Sequence, residues 1–213
     1  MSLPLFSLVG FGCITHRASK LSLTLLVIGL LQACASGTQS SSLSYDFGTV
    51  AKENNAAPSK IAISLADVSA PATLDSNAML YRLAYDNAQL LHPYANHHWS
   101  MPPAQLFTQR FKSRIAATGG TVLGATDGVA ELPVLRIEMD EFSQVFTSTT
   151  QSEAKIALRV TLIKKNKLIA QQYFDLATAS ASADASGGAK AMQVTADRSI
   201  SAILAWLQTQ QIN

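Results

Sequence analysis

Cysteine is nearly missing from this 213-residue chain: Cys13 and Cys34 are the two present, and none follows residue 34. A disulfide therefore cannot hold together a module built from the later residues, and no cysteine there can serve as nucleophile or metal ligand. An excess of one charge is lacking too. Sixteen basic residues face fourteen acidic ones, but Arg17 and Lys20 precede residue 34 while every acidic residue follows it, so the later part carries fourteen of each. That balance excludes the basic field by which proteins hold nucleic acid. Long apolar runs are absent after residue 33; the 48% of apolar residues can build a core, yet no later stretch approaches the ~20 residues that span a bilayer. His16, His92, His97 and His98 lack zinc-ligand spacing, since His97 and His98 point apart in a strand, so no metal or cofactor is expected.

Catalytic motifs are missing in the same way. The chain has no Gly-x-Ser-x-Gly elbow, no phosphate-cradling glycine loop ending in Lys-Ser/Thr and no His-Glu-x-x-His. Asp140 and Glu141 are adjacent carboxylates, but a regular strand turns them to opposite sides, which suits a solvated pair better than a general acid and base. The expectation is a protein that is not an enzyme.

What is present begins at the N-terminus. His16, Arg17 and Lys20 precede the eleven-residue apolar run Leu21–Leu31, and Ala33, Cys34, Ala35, Ser36 and Gly37 follow. A positive flank, a short apolar core and a small-residue exit are the parts of a secretory signal. Leu31-Gln32-Ala33-Cys34 resembles the bacterial lipobox, in which the cysteine becomes lipidated; Gln32 departs mildly from the usual small or aliphatic residue. The reading is a signal peptide over residues 1–33, lipid on Cys34, and a polar tether over 34–44 joined to a domain over 45–210. Acyl chains contribute about 0.8 kcal/mol per buried CH₂, so two or more give durable attachment. The residues after Cys34 are Ala35 and Ser36 rather than the Asp that resembles an inner-membrane retention signal, which favours the periplasmic face of the outer membrane. A plain leader with an incidental cysteine is the alternative, and residues 1–20 read as an over-extended start.

The expected fold is α+β, a twisted antiparallel sheet with two helices packed on one face. Tyr45-Asp46-Phe47, Ile61–Leu65 and Met79–Leu83 read as short strands, and Gln89–Tyr94 as a partner of the last. Pro102-Pro103 opens a helix carrying Phe107, Phe111 and Ile115 on one face, and Gly119-Gly120 closes it. Leu135, Ile137 and Met139, then Ile156, Leu158, Val160 and Leu162, then Leu168, Ala170, Phe174 and Leu176 alternate with polar residues as three consecutive strands. Residues 178–190 read as a loop of small residues. Beyond it Met192, Ala196, Ile200, Ile203, Leu204 and Leu207 trace a second helical stripe.

Two features could meet a partner. Lys164, Lys165 and Lys167 mark a basic hairpin tip, either a solvated turn that protects a sheet edge or a docking point for an acidic surface or anionic headgroups. Trp99, before two prolines, is either a core plug at a helix entrance or an interface residue.

Tyr45-Asp46-Phe47-Gly48, Ile61–Val68 leading to Pro71 and Leu74-Asp75, Met79-Leu80-Tyr81-Arg82, and Trp99-Ser100-Met101-Pro102-Pro103 with Leu106-Phe107 occur in an order that resembles the ABC-type transport auxiliary lipoprotein family. His98 stands where a basic or amide residue is common, and the 178–190 stretch is unusually rich in small residues. The resemblance implies a non-catalytic accessory of an MCE-type ABC system that moves phospholipids or other hydrophobic molecules between membranes. It also implies a periplasmic MCE-type protein as partner and Tyr81 and Arg82 among partner-binding residues. A lipid-binding carrier and a structural assembly lipoprotein of the cell envelope are the competing classes.

Overall fold

The longest amphipathic strands organise the molecule. In the computed structural model, which describes residues 41–50, 61–127 and 131–210, strands β6 (Val134–Phe146), β7 (Ser152–Lys164) and β8 (Lys167–Ala179) form an antiparallel meander. Their alternation puts Leu135, Ile137, Met139, Ile156, Leu158 and Val160 into the core, while Glu138, Asp140 and Arg159 form ion pairs on the wet face. Five shorter strands complete the sheet: β1 (Leu43–Tyr45), β2 (Ala62–Leu65), β3 (Ala78–Leu83), β4 (Ala88–Trp99) and β5 (Thr121–Gly124). β1 starts at Leu43, so two residues assigned to the tether from sequence belong to the sheet. Cys34 and the signal segment lie outside the described residues.

The sheet is mixed, which corrects the antiparallel expectation. β3–β4, β6–β7 and β7–β8 are antiparallel, but β1–β4, β2–β5, β2–β6 and β3–β6 are parallel. Parallel neighbours need crossover connections, and helix α2 (Pro103–Ala117) lies on the path from β4 to β5. β6 is the hub. One of its edges takes β7 along its length, and the other is shared by β2 at Val134–Leu135, a bridge from Ser69 at Glu138, and β3 at Gln144–Phe146.

A bulge in β6 between Met139 and Glu141 resets the alternation, so that Phe142 and Gln144 continue the buried face. It also brings Asp140 and Glu141 to the same, outer side. The two carboxylates then meet different arginines: Asp140 is 3.1 Å from Arg159, which it shares with Glu138, and Glu141 is 3.2 Å from Arg82.

Three helices occur among the described residues: the one-turn α1 (Ala84–Asn87), α2, and α3 (Ala185–Thr209). Prolines 102 and 103 start α2 where missing N–H groups cost nothing, and Gly119 closes it in the left-handed region, φ 76°. The α3 stripe Met192, Ala196, Ile200, Ile203 and Leu207 is buried, on the same core as Phe107, Phe111 and Ile115 of α2. The expected small-residue loop is mostly not a loop: β8 runs to Ala179 and α3 begins at Ala185. Asp184 caps it by accepting a hydrogen bond from the Gly187 N–H at 2.7 Å, and the small residues let this first turn sit close to the sheet. No described helix is long and apolar enough to cross a membrane.

Candidate partner-binding surface

Trp99 ends β4 with 2% of its surface exposed. Its ring meets Phe47 at 5.9 Å and Phe142 at 5.5 Å, both edge-on. The chain is pinned around it, the Trp99 N–H donating to the Asn77 carbonyl and the Ser100 N–H to that of Tyr45. Of the two roles the sequence leaves open, it takes the core one; a partner cannot touch it without disturbing the fold.

Tyr81 is half-buried and belongs to an aromatic strip across β1, β4, β3 and the end of β6. It stacks on His92 at 5.2 Å and packs against Tyr94 at 4.6 Å and Phe146 at 5.9 Å. His97 stacks on Tyr45 at 5.8 Å, with its Nδ1 3.0 Å from the Tyr45 hydroxyl. The Tyr94 hydroxyl donates to Gln144 Oε1 at 2.9 Å, and Gln144 Nε2 donates to Ser152 Oγ and the Asp184 carbonyl. Burial, with the neighbouring Tyr81 and Asp184, pushes the Tyr94 phenol above its ordinary pKa, so Tyr94 remains a donor. The Gly187 N–H, aided by the Ser182 hydroxyl, holds the Asp184 carboxyl below the usual range. Reading the strands singly misses this strip, because its members come from β1, β3, β4 and the end of β6; the pairing of Tyr81 with His92 and the diagonal contact of Tyr45 with His97 become a pattern only once the register is known. Arg82 is engaged by Glu141 and by the Ala88 carbonyl at 3.3 Å.

The lysines occupy the opposite end. Lys165 and Asn166 form the two-residue turn between β7 and β8 with φ of 49° and 60°, the type I′ geometry that matches strand twist. Lys164 and Lys167 face each other across it, and Lys165 lies 3.5 Å from Glu131 in an exposed pair. Val134 pairs with Ile163 beside this tip whereas Tyr81 pairs with Gln144. Ten residues of β6 thus separate the lysines from Tyr81 and Arg82, about 33 Å at ~3.3 Å per residue. The residues expected to share a binding role therefore do not form one surface.

Sequence reading also misses Arg110. It sits among the apolar positions of α2, 6% exposed, and grips Asp197 of α3 through Nε and Nη2, both at 2.7 Å. Its Nη1 donates to the carbonyls of Phe47 and Gly48 at 3.1 and 3.0 Å. All its polar atoms are matched to structural partners, so it clamps the N-terminal segment to both helices. A cleft of about 530 Å³ opens beside this clamp, between residues 46–50 and the Gln109–Ala117 flank of α2. Among the described residues no three His, Cys, Asp or Glu side chains gather to hold a metal ion.

No curated protein matches the chain. Among solved structures it is similar to a Xanthomonas campestris protein of family DUF330, with 18% identity over 78% of this chain and 94% of that one and a TM-score of 0.67. A second crystal structure, of an uncharacterized protein, matches at 13% identity and a TM-score of 0.62, covering 78% and 99% of the two chains. At such identities the likeness is one of fold. The family model of the ABC-type transport auxiliary lipoprotein component matches residues 45–203, from the last residue of β1 into α3. The chain belongs to the family of ABC-type transport auxiliary lipoprotein components.

Proposed function

We propose that this protein is a non-catalytic adaptor, held by lipid on Cys34 at the periplasmic face of the outer membrane, that docks on the MCE-type protein of an ABC system moving phospholipids or other hydrophobic molecules between membranes. The observation that carries this reading is positional: the family match begins at Tyr45, the last residue of β1, eleven residues beyond a cysteine set in a lipobox-like sequence. Any energy for transport comes from an ATPase elsewhere in such a system.

The packing favours an adaptor over a carrier. A carrier would shelter an acyl chain between helices and sheet, and that space is filled by Phe107, Phe111, Ile200 and Leu158, none with exposed surface. Two measurements test the reading. Cys34→Ser should move the protein from the membrane to the soluble fraction and remove its acyl label; unchanged fractionation defeats the anchor. Affinity purification of the full chain from membranes should recover the MCE-type protein with no bound lipid, whereas stoichiometric phospholipid in native mass spectra would support a carrier.

A further inference from the structure

The outer side of β8 faces no other strand: among the described residues this edge strand pairs with β7 alone. From Ala170 to Ala179 that pairing runs without a slip, Leu162 with Ala170 through Glu153 with Ala179. The Ser180 N–H continues the ladder by donating to the Ser152 carbonyl at 2.8 Å. Because an antiparallel ladder alternates, the even-numbered residues of this stretch spend their N–H and C=O groups on β7. Gln171, Tyr173, Asp175 and Ala177 turn theirs outward. The side-chain bonds agree with that parity: the Tyr173 carbonyl accepts from the Gln172 side chain at 3.3 Å, and the Ala177 carbonyl from Arg198 of α3 at 2.8 Å.

Proteins commonly blunt such an edge with lysine, proline, a bulge or a covering side chain. Arg198 covers the end at Ala177, and the register shift between Leu162 and Ile163 interrupts the other end, below Ala170. Between them, from Ala170 to Leu176, the sequence has no lysine, arginine or proline. Tyr173, opposite Arg159 on the wet face, is 52% exposed, and Phe174 on the helix side meets half-buried Trp206 edge-on at 6.1 Å. The stretch is also complementary to itself. A second copy running antiparallel about a twofold axis at Tyr173 sets Tyr173 against its counterpart and Gln171 against Asp175, an amide beside a carboxylate, with outward groups meeting outward groups. Moving the axis toward Asp175 brings in Ala177, whose carbonyl Arg198 holds, and at Asp175 itself opposes two like charges. Moving it toward Gln171 brings in the slipped residues below Ala170.

We infer that this stretch of β8 is the contact by which two copies of the chain pair, edge to edge, into a twofold dimer with one continuous sheet. The Gln171–Asp175 pairs and the central Tyr173 pair each exchange both N–H···O bonds; the Tyr173 carbonyl gives up only the exposed Gln172 amide to do so. The two tyrosines become a cross-strand aromatic pair. The contact uses the same patch on both copies, so it closes at two and leaves no edge of β8 for a third. So short a contact falls below the ~1,200 Å² of a standard interface, which makes the dimer reversible. It does not rest on the adaptor role.

The test uses two differently tagged full-length chains in the same cells, with p-benzoylphenylalanine at Gln171 or, as control, at Leu90 of β4, which is 49% exposed. A crosslink from position 171 to the other tagged copy is expected, mapping to its β8 between Ala170 and Ala177. Tyr173→Lys in both copies sets like charges opposite each other and should lower that crosslink about tenfold or more. Combining a Y173K copy with a Y173E copy should restore it between those two, which a merely structural role for Tyr173 would not do. Each purified variant should melt within about 2 °C of the wild type, as an exposed substitution implies. Absence of a crosslink to a second copy in the chain that keeps Tyr173 overturns the proposal whatever the variants do. So does an equally strong crosslink from position 90, a crosslink that Y173K leaves intact, or failure of the Y173K and Y173E pair while both variants melt normally. A crosslink from 171 to a different protein or to phospholipid instead gives the edge another occupant and also overturns it.

Discussion

Arg110 carries a formal charge into the interior, and its neutralisation depends on one carboxylate. Replacing Asp197 by Ala leaves that guanidinium buried and half-partnered, and breaking such pairs costs about 3–5 kcal/mol. At roughly 2–4 °C per kcal/mol for a domain of this size, the D197A midpoint should fall by about 10 °C in a circular-dichroism melt. An Arg110→Met, Asp197→Leu double change should cost less than D197A alone, because it removes the charge together with its partner. Asp184 acts by a different route. Its carboxylate caps α3, and Asp184→Ala should cost about 1 kcal/mol. Because the folded carboxyl lies below its unfolded value, the stabilisation is complete above the unfolded pKa and disappears as pH drops through the folded one. The gap in midpoint between wild type and D184A should accordingly narrow in acid; a gap that stays constant down to the acid limit would show that the charge plays no part.

At the scale of elements, the first turn of α3 is the tightest fit. A Cβ on Gly188 would land on the Gln144 side-chain amide, the group that joins Tyr94, Ser152 and the start of α3. Gly188→Ala should therefore destabilise by about 1–3 kcal/mol despite the better helix propensity of alanine, and a raised midpoint would contradict this packing. The hairpin offers the reverse case. Lys165→Asn with Asn166→Gly should raise the midpoint by a degree or more, since Asn-Gly is the favoured pair for this turn. These two elements show why sequence reading succeeds and fails where it does. The meander, the α2 stripe and the turn at Lys165 are local patterns, legible from alternation, proline and lysine placement. The stretch 178–190 reads as a loop because small residues carry no periodicity, and its helix exists through a cap and a sheet contact that composition does not encode. The parallel pairings of β2 and β3 are equally silent, since strand direction is settled by crossovers tens of residues long. The clamp at Arg110 was hidden for the same reason: its pairing depends on residues more than fifty positions away.

For the whole molecule, β1 decides where the folded unit begins. A chain starting at Asp46 lacks the Leu43–His97 ladder and the Tyr45–His97 contact, and it should melt several degrees below one starting at Ala35, as loss of a few hydrogen bonds at ~1 kcal/mol each implies. Equal midpoints for the two would return Leu43 and Ser44 to the tether. The electrostatics of the whole are nearly neutral, so the lysine turn stands out as a local field rather than as part of a general one. Its influence should decay within about 10 Å at ordinary ionic strength, which makes the fold comparatively indifferent to salt.

The sharing of β6 by β2, Ser69, β3 and β7 also sets an order in time. Emerging from its N-terminal side, the chain delivers residues 61–83 well before Val134–Phe146, so β2 and β3 wait while some fifty residues follow, with the edges that β6 takes still unmatched. Closing ladders across such separations is slow, and until it happens the nascent chain displays sticky strand margins open to misassociation. A chain halted before Val134 emerges should therefore be the form most prone to misassociation.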